Sequence, residues 1–149
     1  MVKNKKPGKI WSRSQLFAII VEVMGRKNRS DTTATIAELQ REISDFVEVR
    51  KWRKFHNPKD LSEAIAIESG ELLEHFLWKS PRQAHRYLKG KKGRLAVAAE
   101  LADLLILIFN FGQLFGIDLA GSLQKKLEIL KKRYPVEKFK GRSDKYRPL

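Results

Sequence analysis

The chain has 149 residues, no cysteine, 31 Lys plus Arg against 17 Asp plus Glu, and 42% hydrophobic residues. The length suits one domain with a core of its own, and the apolar fraction excludes a wholly disordered chain. The absence of cysteine excludes disulfides, thiolate metal sites and a cysteine nucleophile, and it fits a reducing compartment, so a cytoplasmic location is expected.

The formal net charge of +14 sits at the two ends. Residues 1–30 hold eight basic residues and one acid, residues 125–149 hold ten basic and three acidic, and the stretch between is neutral. Such ends are either solvated tails or contacts for a polyanion such as nucleic acid. The basic start is followed by an apolar run that Glu22 interrupts, with no small-residue cleavage site, so no secretory signal is expected. The longest apolar stretch, residues 101–119, contains Asp103, Asn110, Gln113 and Asp118. It reads as a buried helix and not as a membrane span.

In chain order, residues 1–11 read as a disordered lead, 15–24 as a short helix and 25–33 as a polar linker. Ile36, Leu39, Ile43, Phe46, Val47 and Trp52 recur near helical spacing and predict a helix over 36–54. Asn57-Pro58 breaks it, because a residue before proline is steered away from helical geometry. Asp60-Leu61-Ser62-Glu63 resembles a capping box and predicts a helix from 60 to about 79. A short helix over 81–88, a flexible basic loop over 89–93 and a long apolar helix over 95–115 follow. Gly116 stops that helix, and Asp118 caps a last one that reaches 134. The expected architecture is all-α: a four-helix-bundle-like core over 36–135, a basic N-terminal extension over 1–35 and a basic tail over 136–149.

Two pairs of carboxylates fall inside apolar stripes. Glu68 and Glu71 lie three residues apart in the stripe of Leu61, Ala64, Ile65, Leu72 and Phe76, and Glu100 and Asp103 repeat the spacing in VAAELADLLILIF. An ionised carboxylate without a partner is costly to bury, so these acids need Lys or Arg, protonation or a metal. Oxygen-only ligands favour Mg2+ or Mn2+. Two readings stand on the pattern alone: a metal site, or acids on helix rims paired with nearby Lys and Arg.

Phe-His-Asn-Pro-Lys-Asp-Leu at 55–61, Ile-Glu-Ser-Gly-Glu-Leu-Leu-Glu at 67–74, Glu-Leu-Ala-Asp at 100–103, Lys-Arg-Tyr-Pro-Val-Glu-Lys at 132–138 and Lys-Tyr at 145–146 carry a family likeness. Over roughly residues 36–146 the chain resembles the MazG-like all-α nucleoside triphosphate pyrophosphohydrolases, in particular their dCTP-pyrophosphatase-like branch. The resemblance implies the MazG-like bundle fold, hydrolysis of (d)NTPs to the monophosphate and pyrophosphate, Mg2+, and a homodimer or dimer of dimers with sites built across subunits. It implies that Glu68, Glu71, Glu100 and Asp103 bind metal, with Glu68 alternatively the general base, and that Glu68 and Glu71 are catalytic. It places Trp52 and Trp78 near the base; aromatic residues at such spacing otherwise read as core. His56 is either a donor to substrate or a turn residue. Lys126, Arg133 and Tyr134 are either phosphate contacts or, for the two cations, complements of the helix dipole. Glu74 either orients water or is simply exposed, and His75 reads as packing. Leu130 stands where relatives often have Asn, and Ile43 replaces a polar residue. Both changes remove hydrogen-bonding capacity from the expected pocket. The competing function is a basic helical nucleic-acid-binding or regulatory protein that keeps the bundle without turnover. No DNA-reading motif supports it, and no membrane partner is expected.

Overall fold

A computed structural model of the protein describes residues 30–142, and the chain divides into two compact units between Thr35 and Ile36. Of the first unit, residues 30–35 are described. Ser30 N donates to Thr33 Oγ1 at 2.8 Å, and Thr33 N donates to Ser30 O at 2.9 Å, closing a turn. The lead expected over 1–11, the helix over 15–24, most of the linker over 25–33 and the Lys145-Tyr146 motif lie outside the described residues.

The second unit contains α1 (Ile36–Val49), a 3-10 turn (Arg53–Phe55), α2 (Pro58–Glu74), α3 (Pro81–Lys89), α4 (Lys91–Leu114), α5 (Leu119–Arg133) and the single-turn α6 (Val136–Phe139). Among the described residues there is no strand, in line with the all-α class the periodicity predicts. α4 is the central element, with α1, α2 and α3 packed against it.

The helix ends follow local chemistry, and four depart from the sequence expectation. α1 stops at Val49, not 54, because Lys51 adopts φ 55°. Trp52 N then donates to Val47 O and Lys51 N to Glu48 O, the bond pair of a Schellman cap. α2 begins two residues before Asp60. Asn57 is its N-cap, accepting from Asp60 N at 3.0 Å, and Pro58 fills the first turn, where its missing N–H costs nothing. It ends at Glu74, and Trp78 turns the chain at φ 61°. Ser80 caps α3 in a capping box with Gln83. The loop expected over 89–93 is helical apart from Gly90: Lys91, Lys92 and Gly93 form the first turn of α4. Close packing accounts for the glycine there, since a Cβ on Gly93 would stand 2.3 Å from Tyr87 O. α4 ends in a second Schellman cap at Gly116, φ 63°, and Asp118 caps α5 by accepting from Gly121 N at 3.0 Å. The basic tail starts with the turn of α6.

The core within one chain is small. Leu61 of α2, Val47 of α1 and Val97 of α4 are its buried apolar side chains among the described residues. The burial expected for α4 is only partial: Gly93, Val97, Asn110 and Gly112 are buried, while Leu95, Leu101, Leu105 and Ile106 are exposed. Three neighbours cover one side of a helix that is apolar nearly all round. Leu123, Leu127 and Ile129 of α5 are exposed as well. By length and composition alone α4 could cross a membrane. Its middle carries Glu100 and Asp103, and a charge at that depth costs about 3 kcal/mol on insertion scales.

Candidate active site

The helical period puts Glu68 and Glu71 on the side of α2 that carries buried Leu61, and α2 packs against α4. Glu100 lies one turn beyond buried Val97 on α4. Carboxylate oxygens of Glu68, Glu71 and Glu100 therefore lie within 4.8 Å of one another. Asp103, one turn further along α4, is exposed and stands outside this tight group. Its charge nevertheless reaches Glu68. Partial desolvation, then the negative charges of Glu71, Asp103 and Glu100, push the Glu68 carboxyl above its ordinary value.

Among the described residues, Lys and Arg ion pairs join Arg53 to Glu48, Lys59 to Asp60 and Glu63, and Lys131 to Glu128. None reaches the four acids. The polar neighbour they do have is His75, whose Nε2 lies 3.3 Å from Glu100 Oε1. His75 Nδ1 in turn meets Tyr87 Oη of α3 at 3.1 Å. The sequence assigns His75 to packing, because Tyr87 and Glu100 are 12 and 25 residues away and spacing cannot announce such partners. Glu74 is exposed at the end of α2.

The expected substrate residues are spread more widely. Trp52 is 44% exposed and packs edge-on against Phe46, with ring centroids 5.7 Å apart. Trp78 is 93% exposed, so it is no part of the core in this chain. The non-glycine residues with positive φ among those described are Lys51 and Trp78, so each tryptophan is presented at or beside a left-handed residue. His56 Nδ1 is 2.9 Å from Nδ2 of Asn110, a nearly buried residue that the sequence flags only as a polar interruption. An amide NH2 can only donate, so Nδ1 accepts and the neutral ring carries its proton on Nε2. Lys126 and Arg133 are exposed on α5, and half-buried Tyr134 packs edge-on against Phe139. Ile43 and Leu130 are both half-buried.

Residues 64–149 match the model of the MazG-like family. The chain belongs to the MazG-like family. The match takes in all four acids and Trp78 but begins after Trp52 and His56. Among characterised proteins, dCTP pyrophosphatase 1 of Mus musculus is 32% identical over 124 residues, covering 83% of this chain and 73% of that protein. The Homo sapiens protein of the same name is 30% identical over 138 residues, covering 86% and 81%. Among solved structures, a pyrophosphatase from Archaeoglobus fulgidus superposes with TM-score 0.63 at 34% identity, over 67% of this chain and 92% of that one. This MazG-like chain therefore shares both sequence and fold with pyrophosphatases.

Proposed function

We infer that the protein is a nucleotide pyrophosphohydrolase that cleaves a (d)NTP to the (d)NMP and pyrophosphate with a divalent cation held between α2 and α4. The observation that carries this reading is the convergence of Glu68, Glu71 and Glu100, which none of the Lys or Arg ion pairs among the described residues reaches. Family membership and the name dCTP pyrophosphatase 1 borne by two relatives support the reaction class.

The residues fit a hard cation. The donors are all carboxylate oxygens, three are already gathered, and the raised Glu68 carboxyl marks a place where added positive charge is stabilising. Glu68, Glu71 and Glu100 would hold Mg2+ or Mn2+, with Asp103 as the fourth ligand. When bound, such an ion neutralises phosphate oxygens and acidifies a coordinated water. The chain's own groups do the rest. Alternatively, Glu68 would leave the cation to Glu71, Glu100 and Asp103 and accept the proton of the attacking water. Glu71 fixes the orientation of that water relative to the phosphate. Trp52 and Trp78, exposed on strained turns, offer flat faces on which a base can stack. His56 presents its Nε2–H as a donor. Lys126, Arg133 and Tyr134 contact the phosphate tail, contributed from α5 in an assembled homodimer or dimer of dimers. The exposed leucines of α4 and α5 support that assembly. Free nucleotides as substrate agree with a cytoplasmic location.

The competing nucleic-acid reading draws on residues 1–30 and 125–149 and gives the acid cluster no part to play. Pyrophosphate release from a panel of dNTPs, with Mg2+ and with chelator, tests the proposal. Release that requires the cation supports it; DNA binding without turnover of any nucleotide refutes it.

A further inference from the structure

We propose that His75, set in place by Tyr87, is a positioning residue that fixes the Glu100 carboxylate for the cation. The inference rests on the metal reading above and extends it to a second helix pair. Of the four acids, Glu100 alone has a side-chain hydrogen-bond partner among the described residues. The two side chains are 23% and 18% exposed, so water competes little for the bond.

The chain of bonds has a direction. If Nδ1 of a neutral His75 carried the proton, its Nε2 lone pair would face the Glu100 carboxylate and repel it. If Tyr87 Oη donates to Nδ1, Nε2 carries the proton and donates to Glu100 Oε1. Of the two neutral tautomers only this one satisfies both contacts, and the tyrosine hydroxyl selects it. One carboxylate oxygen is then tied to the imidazole, and the other is left for the cation. Outer hydrogen bonds of this kind commonly set ligand orientation.

Tyr87 is itself held by several contacts. Its ring stacks on His75 at 6.0 Å between centroids, meets Phe76 edge-on at 6.3 Å, and has Lys79 Nζ 5.1 Å from its centroid. Its main chain sits against Gly93 of α4, where any side chain would collide. The short helix α3, started by the Ser80–Gln83 capping box, brings this hydroxyl back to the end of α2. The element that the acid motifs do not mention therefore supports one of their members.

Mn2+ titration of the full-length protein, read by the electron paramagnetic resonance signal of free Mn2+, tests this without relying on turnover. The variants are Tyr87→Phe, His75→Leu, His75→Gln and Glu100→Gln, with circular dichroism as the check on folding. Tyr87→Phe and His75→Leu should weaken Mn2+ binding by about 10- to 100-fold, the usual loss for an outer-shell partner. His75→Gln, whose amide can still donate near the Nε2 position, should recover most of that loss. At saturating Mn2+ both weakened variants should regain kcat to within about threefold, because neither group touches substrate. Unchanged affinity in Tyr87→Phe and His75→Leu beside a weakened Glu100→Gln would overturn the positioning role and leave the metal site standing. Equal weakening in His75→Gln and His75→Leu would also overturn it, since packing and not donation would then be at work. Unchanged affinity in Glu100→Gln would overturn the metal site and the proposal together.

Discussion

Gly93→Ala probes the joint on which α3 is mounted. Gly93 is the third residue of α4, and a Cβ there would lie 2.3 Å from Tyr87 O and 3.0 Å from both Tyr87 C and its ring atom Cδ2. An ordinary contact is about 3.5 Å, so α3 must retreat by about 1 Å. The tightest neighbour is main chain, which cannot rotate out of the way. Overpacking of this kind costs about 1–3 kcal/mol, and the better helix propensity of alanine returns up to about 1 kcal/mol. A net loss of about 1–2 kcal/mol should lower Tm by roughly 4–8 °C for a domain of this size. Gly70→Ala is the control: it lies inside α2 with nothing within 4 Å of the added atom, so it should hold or raise Tm. Paired thermal melts by circular dichroism, in chelator and then in Mg2+, read the difference. A Gly93→Ala protein that melts with the parent would refute the α3–α4 contact and weaken the case for Tyr87 as an anchor.

Other predictions concern the acids and the surface. Glu71→Gln should lower pyrophosphate release by at least about 10²-fold, the scale of losing one preorganised electrostatic contact, with secondary structure unchanged by circular dichroism. Glu68 has a raised folded-state pKa, so its protonated form is favoured by folding. The stability it contributes is full below its unfolded pKa and is lost as pH rises through the folded value. In chelator, Glu68→Gln should therefore match the parent's Tm in acid and exceed it at neutral pH, and added Mg2+ should close the gap. Trp52→Ala should raise KM for all four common dNTPs together, whereas Leu130→Asn should widen the spread of kcat/KM among them, since a directional contact discriminates more than an apolar one. Light scattering at micromolar concentration should give at least a dimer; a monomeric mass would leave the exposed leucines of α4 and α5 without an explanation.

Local chemistry made most of the helices legible. Gly116, Asp118 and Ser80-Pro81 act within one turn of where they stand, and each ends or starts a helix where the sequence says it should. Asn57 was less legible than Asp60 because both belong to a cap-like string, and only the bond from Asp60 N to Asn57 distinguishes them. The basic string Lys89-Gly90-Lys91-Lys92-Gly93 looks like a loop by composition, yet close approach to Tyr87 makes Gly93 a packing residue. The placing of the acids on the inner faces of two helices could be read from the helical period, but their separation could not. The same limit hid His75 and Asn110. Their partners, Glu100, Tyr87 and His56, lie 12 to 54 residues away and are brought near by the fold. The all-round apolar character of α4 was plain in the sequence, whereas the small cover given by α1, α2 and α3 required coordinates.

The central claim is hydrolysis of a nucleoside triphosphate at the bond that frees pyrophosphate, driven by the α2–α4 acids with a divalent cation. Phosphorus NMR of dCTP incubated with the protein and Mg2+ follows every phosphate at once. The account predicts equal growth of dCMP and pyrophosphate signals, no dCDP, and arrest of both signals in chelator or in Glu71→Gln. Release of inorganic phosphate with dCDP, or turnover that persists undiminished in chelator, would contradict it.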